Sequence, residues 1–145
     1  MNFRRFAVVF CLLSSVLAPA VSSALPDDQY DKAIDVIVWT KSPGRWVNAV
    51  NPDVVQPLVE DWIRTNAPAN RAQELIVARW RMALNGANRQ WEGFERSYAV
   101  LRGETNKAVR VAQYEKFIRW AGGLHANTHA DFRIGARTAL EKLLA

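Results

Sequence analysis

Residues 66–103 read NAPANRAQELIVARWRMALNGANRQWEGFERSYAVLRG, and the spacing of the apolar residues in this stretch predicts two helices joined by a turn. Asn66-Ala67-Pro68 interrupts what precedes it, because proline lacks a backbone donor and pushes the residue before it out of helical geometry. From about Ala69, the residues Ala72, Leu75, Ile76, Arg79, Trp80, Ala83 and Leu84 recur at three and four, the interval that lines one face of a helix. Asn85-Gly86 reads as a left-handed stop. Asn88 is the expected cap of the next helix, on which Trp91, Phe94, Tyr98 and Leu101 share a face before Gly103 ends it. Paired as a hairpin, the two helices set Trp91, Phe94 and Tyr98 in a seam with Trp80 and Leu84.

The same pattern extends outward in both directions. Toward the amino terminus, Tyr30, Ala33, Ile34, Ile37 and Val38 give helical spacing over 27–40, with Asp27 and Asp28 in the first turn, where the helix dipole favours acids. The β-branched residues of 34–39 invite a strand reading, which the periodicity of the whole segment outweighs. Asn51-Pro52-Asp53 is a helix start ahead of Val55, Leu58, Val59, Trp62 and Ile63. Toward the carboxyl terminus, Thr105 or Asn106 opens a helix that Gly122-Gly123 closes, and Thr128-His129-Ala130-Asp131 resembles a capping box ahead of a last helix over 128–144. The reading is all-α, with about six helices stacked as antiparallel hairpins. Hairpins 69–102 and 105–144 suggest a repeat in the thirties and hence an α-solenoid, but the two are poorly similar residue by residue, which leaves an irregular bundle as the alternative.

Arg4 and Arg5, the apolar run from Phe6 to Val16 and the small residues Ser22-Ser23-Ala24 have the order of a secretory signal peptide. Ser14, Ser15 and Pro19 make the run short for the roughly 20 residues of a spanning helix. The expected organisation is a signal peptide over 1–24 and a single helical domain over 25–145, which is expected to be periplasmic or secreted and, after cleavage, not integral to the membrane. Cleavage there removes two of the 19 basic residues and none of the 14 acidic ones, so the formal net charge of +5 falls to +3. That residual excess, with acids interspersed throughout, argues against a nucleic-acid partner. The one cysteine, Cys11, lies in the leader, so the exported chain carries no disulfide and no thiol chemistry.

His125 and His129 are four apart with Asp131 nearby, but Asn127 and Thr128 place them across a loop and a helix start, so no metal site is expected. There is no Gly-x-Ser-x-Gly elbow and no glycine-rich phosphate loop between a strand and a helix. Glu60, Glu74, Glu92, Glu95 and Glu115 fall on predicted helices beside basic neighbours, for instance Glu92 with Arg89 and Arg96, or Glu115 with Arg119. Such neighbours favour solvated ion pairs over the protonated carboxyl that glycan cleavage needs. No catalytic residue, metal or cofactor is assigned.

Six tryptophans are many for this length. Packing between helices accounts for most, with Trp46 in the Gly44-Arg45-Trp46 loop as the expected exposed exception. The arginines of the middle section suit bidentate contact with carboxylates or phosphates. The candidate binding residues are therefore Trp46, Arg71, Arg79 and Arg89.

The segment from Asn66 to Gly123 resembles the superhelical, non-catalytic region of soluble lytic transglycosylases. The residues that carry the likeness are Pro68-Ala69-Asn70-Arg71-Ala72, then Arg79-Trp80 and Leu84, then Arg89-Gln90-Trp91-Glu92-Gly93-Phe94 with Tyr98. The resemblance implies short helices stacked into a superhelix and a partner that is peptidoglycan glycan or another envelope protein. In that family the catalytic glutamate sits in a separate domain within a Glu-Ser pair, followed by a Gly-Leu-Met-Gln-like stretch. No glutamate here precedes serine, and Gly-Leu-Met does not occur. The function expected is a non-enzymatic, exported scaffold or interaction module of the cell envelope. The alternatives are a peptidoglycan lytic transglycosylase or its subunit, and a periplasmic immunity or inhibitor protein.

Overall fold

The computed structural model describes residues 24–41 and 51–123. These form five helices and no strand among the described residues: α1 (Asp27–Thr40), α2 (Pro52–Thr65), α3 (Arg71–Ala87), α4 (Trp91–Arg102) and α5 (Lys107–Gly123). The all-α expectation holds. The helix expected over 128–144, the loop carrying Trp46, and His125, His129 and Asp131 lie outside the described residues.

Helix α3 packs against all four of the others, and its sequence explains why. Leu75, Ile76, Val77, Ala78, Trp80, Met82, Ala83 and Leu84 are all buried, so it presents apolar surface around most of its circumference. A helix of that kind must be enclosed rather than laid on a surface. The result is a bundle around a central helix.

Around α3 the outer helices bury one stripe each. Tyr30, Ile34 and Val38 of α1 face Val55, Val59 and Ile63 of α2, with Tyr30 and Trp62 edge to face at 4.9 Å. The Tyr30 hydroxyl donates to the Asn66 carbonyl at 2.6 Å, which ties the start of α1 to the end of α2 and makes the pair antiparallel. Phe94, Tyr98 and Leu101 of α4 and Tyr114, Phe117 and Trp120 of α5 complete the core. Each large side chain buried this way stabilises the fold by about 1.5–3 kcal/mol.

The helix ends hold two corrections. Asn70 caps α3 by accepting from the Gln73 amide at 2.9 Å, and Asn106 caps α5 by accepting from Ala108 at 3.0 Å. At the far end of α3, however, the helix runs through Asn85-Gly86 to Ala87, and the left-handed residue is Arg89, with φ of 57°. The Gln90 amide donates to the Asn85 carbonyl and the Arg89 amide to the Gly86 carbonyl, the paired bonds of a Schellman ending. Asn88 closes α3 rather than capping α4, whose first turn follows Gln90 without a side-chain cap.

Candidate functional site

The stripe of α3 left between α2 and α4 is polar. Arg71, Glu74, Ala78, Arg81 and Asn85 follow one another at three and four, so they share a face, and they line a groove of about 750 Å³. Glu60 and Gln56 of α2 form one wall, and Gly93, Arg96, Ser97 and Val100 of α4 form the other. Val77 and Ala78 give it an apolar floor.

Three guanidinium groups reach this groove, each already beside a carboxylate. Arg81 grips Glu60 with two parallel bonds, Nε to Oε1 at 2.9 Å and Nη2 to Oε2 at 2.8 Å. The hydrogen bonds it donates to Glu60 hold the Arg81 guanidinium charged against the opposing effect of partial burial. Arg71 donates to Glu74 at 3.0 Å and to Glu104 at 3.3 Å. The Glu104 carboxyl is held below its ordinary value by the Asn106 backbone amide, which outweighs desolvation, with Arg71 adding to the effect. Arg96 pairs with Glu92 one turn away on α4.

One end of the groove is closed by side-chain amides. Gln56 donates to Asn85 Oδ1 at 3.2 Å and to Gln90 Oε1 at 3.0 Å, and accepts from Asn88. Asn85 in turn donates to the Arg81 carbonyl at 2.7 Å. The network needs Gly93: a Cβ there would stand 2.5 Å from Asn85 Oδ1. In chemical terms the groove offers fork-shaped donors for carboxylates, amides for a peptide backbone and an apolar floor.

The four residues singled out from sequence fall in different places. Arg71 lies on the groove wall. Arg89 is exposed at the α3–α4 turn, beyond the amide network. Arg79 is corrected: it is 5% exposed and belongs to the core side of α3, where it pairs with Asp31 of α1 and donates to Gln113 of α5 at 2.9 Å. Its charge is committed to these bonds, which offset its burial. Trp46 lies outside the described residues. Arg81, Arg96, Gln56 and Asn85 were not singled out, although the 71-74-78-81-85 spacing was legible as a second stripe of α3.

Burial pushes the Asp31 carboxyl up, but Arg79, the Trp80 indole and Lys116 together hold it below the ordinary carboxylate value. Among the glutamates, Glu92 pairs with Arg96 as expected, whereas among the described residues no ion pair joins Glu115 to Arg119. Among the described residues, no group of three or more His, Cys, Asp or Glu could hold a metal ion, and no helix is long and apolar enough to cross a membrane. Compared with known proteins, the chain matches no family model, no curated protein and no solved structure.

Proposed function

We propose that the chain is an exported, non-enzymatic interaction module of the cell envelope, and that the groove between α2 and α4 takes a carboxylate-bearing partner. The partner class is the peptide-bearing wall polymer or an envelope protein. Export rests on Arg4, Arg5 and the apolar run behind them, and the envelope setting on the resemblance carried by residues 66–123.

The observation that carries the binding role is the state of the groove's ion pairs. Apart from Glu104, which is 14% exposed, their side chains are substantially open to solvent, 42% and 41% for Arg81 and Glu60, and 71% and 87% for Arg96 and Glu92. Exposed pairs contribute at most about 1 kcal/mol, so an incoming carboxylate can replace Glu92 or Glu74 at little cost while keeping the guanidinium geometry. Glu60 engages Arg81 with both oxygens, an arrangement suited to holding a donor in place rather than to protonating a leaving group.

The test is capture of partners from envelope extract by the full chain and by the Arg71→Ala/Arg96→Ala variant. The reading expects partners retained by the former to be lost from the latter at unchanged helix content. Equal capture by both removes the groove from the account.

A further inference from the structure

A second cleft, of about 600 Å³, opens on a different face of α3 between α1 and α5. Its two walls carry opposite charge. On α1, Asp28, Asp31 and Asp35 outweigh the single cation Lys32, whereas Lys116 and Arg119 line the cleft from α5. At its base Asp31 is fully engaged: it accepts from Arg79, from the Trp80 indole at 2.8 Å and from Lys116 at 3.2 Å. That cluster joins three helices and is structural.

The groups around it are not so engaged. Among the described residues, Asp35 accepts a single hydrogen bond, from the Trp39 indole at 3.0 Å. Burial and the neighbouring Asp31 push its carboxyl up, with only the Trp39 bond and Arg79 opposing, so its charge is short of stabilising partners. Arg119 enters no ion pair among the described residues, and its charge works against that of the buried Arg79. A cation near Asp35 and an anion near Arg119 would each relieve a standing electrostatic cost. Trp39, 36% exposed one turn beyond Asp35, offers an aromatic face whose orientation that hydrogen bond fixes.

We infer that the cleft between α1 and α5 is a binding site for a zwitterionic ligand of the amino-acid or short-peptide class, its ammonium directed to Asp35 and Asp28 and its carboxylate to Arg119, with the Trp39 indole, bonded to Asp35, reporting occupancy. The near balance of fixed charge disfavours polyanions and polycations, and a ligand carrying both signs satisfies both walls at once. The volume lies within the range of small-ligand pockets. This inference does not rest on the α2–α4 groove, which shares no lining residue with the cleft.

The experiment is a titration of the full chain with L-alanyl-L-phenylalanine, followed through indole N–H resonances by NMR, with the Trp39 signal assigned by its loss in Trp39→Phe. The inference expects saturable movement of the Trp39 signal and no movement of Trp91, which lies outside the cleft. It expects at least tenfold weaker binding of the N-acetylated and of the C-amidated dipeptide, and at least tenfold weaker binding by Asp35→Asn and by Arg119→Gln. These variants leave the Asp31 cluster intact, and their helix content reports that they fold. Arg71→Ala/Arg96→Ala should bind the dipeptide as the unaltered chain does, which separates this site from the groove. Capped dipeptides that bind as well as the free one, or no movement of the Trp39 signal at 10 mM dipeptide (roughly tenfold above the weakest affinity such a pocket would show, about 1 mM), overturn it.

Discussion

Arg79 and Asp31 form a charge pair across the interface of α3 and α1, with the guanidinium 5% and the carboxylate 15% exposed. The next residue of α3, Trp80, donates its indole N–H to the same carboxylate oxygen, so one aspartate is engaged by two consecutive residues. Removing Asp31 would leave a buried cation without its anion. Asp31→Ala is expected to cost about 3–5 kcal/mol in chemical denaturation, whereas Asp31→Ala/Arg79→Met should recover much of the loss. A double variant no better than the single one would mean that the pair contributes little beyond packing.

The two aspartates of α1 should respond to pH in opposite ways. Asp31 has a folded pKa held below that of the unfolded chain, about 3.9, so the stability it lends is complete above that value and is lost as the pH falls through the folded one. The deficit of Asp31→Asn should therefore persist from pH 7 to pH 5 (both above the unfolded value) and shrink only on the acid side of about 3.9. Asp35 has a raised folded pKa, so its charge costs stability at neutral pH, and that cost fades as the pH falls through the raised value. Asp35→Asn should be the more stable protein at neutral pH, with an advantage that disappears in acid. Melting temperatures of the three proteins across the pH range check both signs.

Gly93 lets α4 approach α3 at the amide network. Because a Cβ would meet an Asn85 side chain that is itself held by Gln56 and the Arg81 carbonyl, Gly93→Ala should destabilise by about 1–3 kcal/mol. Asn85→Ala/Gly93→Ala should be more stable than Gly93→Ala alone. If Gly93→Ala is neutral, the network yields more readily than its hydrogen bonds imply.

Arg89 occupies a conformation that glycine adopts without cost. Left-handed geometry penalises other residues by about 1–2 kcal/mol, part of which glycine returns through its greater unfolded-state entropy. Arg89→Gly is expected to stabilise the chain by up to about 1 kcal/mol. Loss of partner capture in the same variant would assign the arginine a binding role; a fall in melting temperature would show that its side chain supports the fold.

The helices were legible because apolar residues at three and four are hard to disguise, and Asn106, one of the two residues expected to open α5, does cap it, whereas the cap at Asn70 was not singled out. The end of α3 was not, because Asn85-Gly86 carries the composition of a stop while the chain uses Arg89 as the left-handed residue. Arg79 shows the deeper difficulty. It stood in the apolar stripe of α3 and was also taken for a binding arginine, and only the position of Asp31, 48 residues earlier in the chain, decides between the two. Trp91 was expected inside the seam with Phe94 and Tyr98, yet it is 40% exposed, as the first residue of α4 standing beyond the edge of α3. The groove was readable in part: the stripe through Arg71, Arg81 and Asn85 belongs to α3 alone, but its walls come from α2 and α4, and their register is a property of the packed bundle.

The central claim is binding to the envelope without cleavage, and one experiment addresses both halves. The chain, expressed from Met1 and purified, is incubated with purified cell-wall sacculi and sedimented, with protein measured in the pellet and muropeptides in the supernatant. The account predicts that the protein pellets with the sacculi, that Arg71→Ala/Arg96→Ala stays in solution, and that no soluble muropeptides appear. Release of muropeptides that Glu60→Gln or Glu74→Gln abolishes would contradict it, and would make the groove an active site.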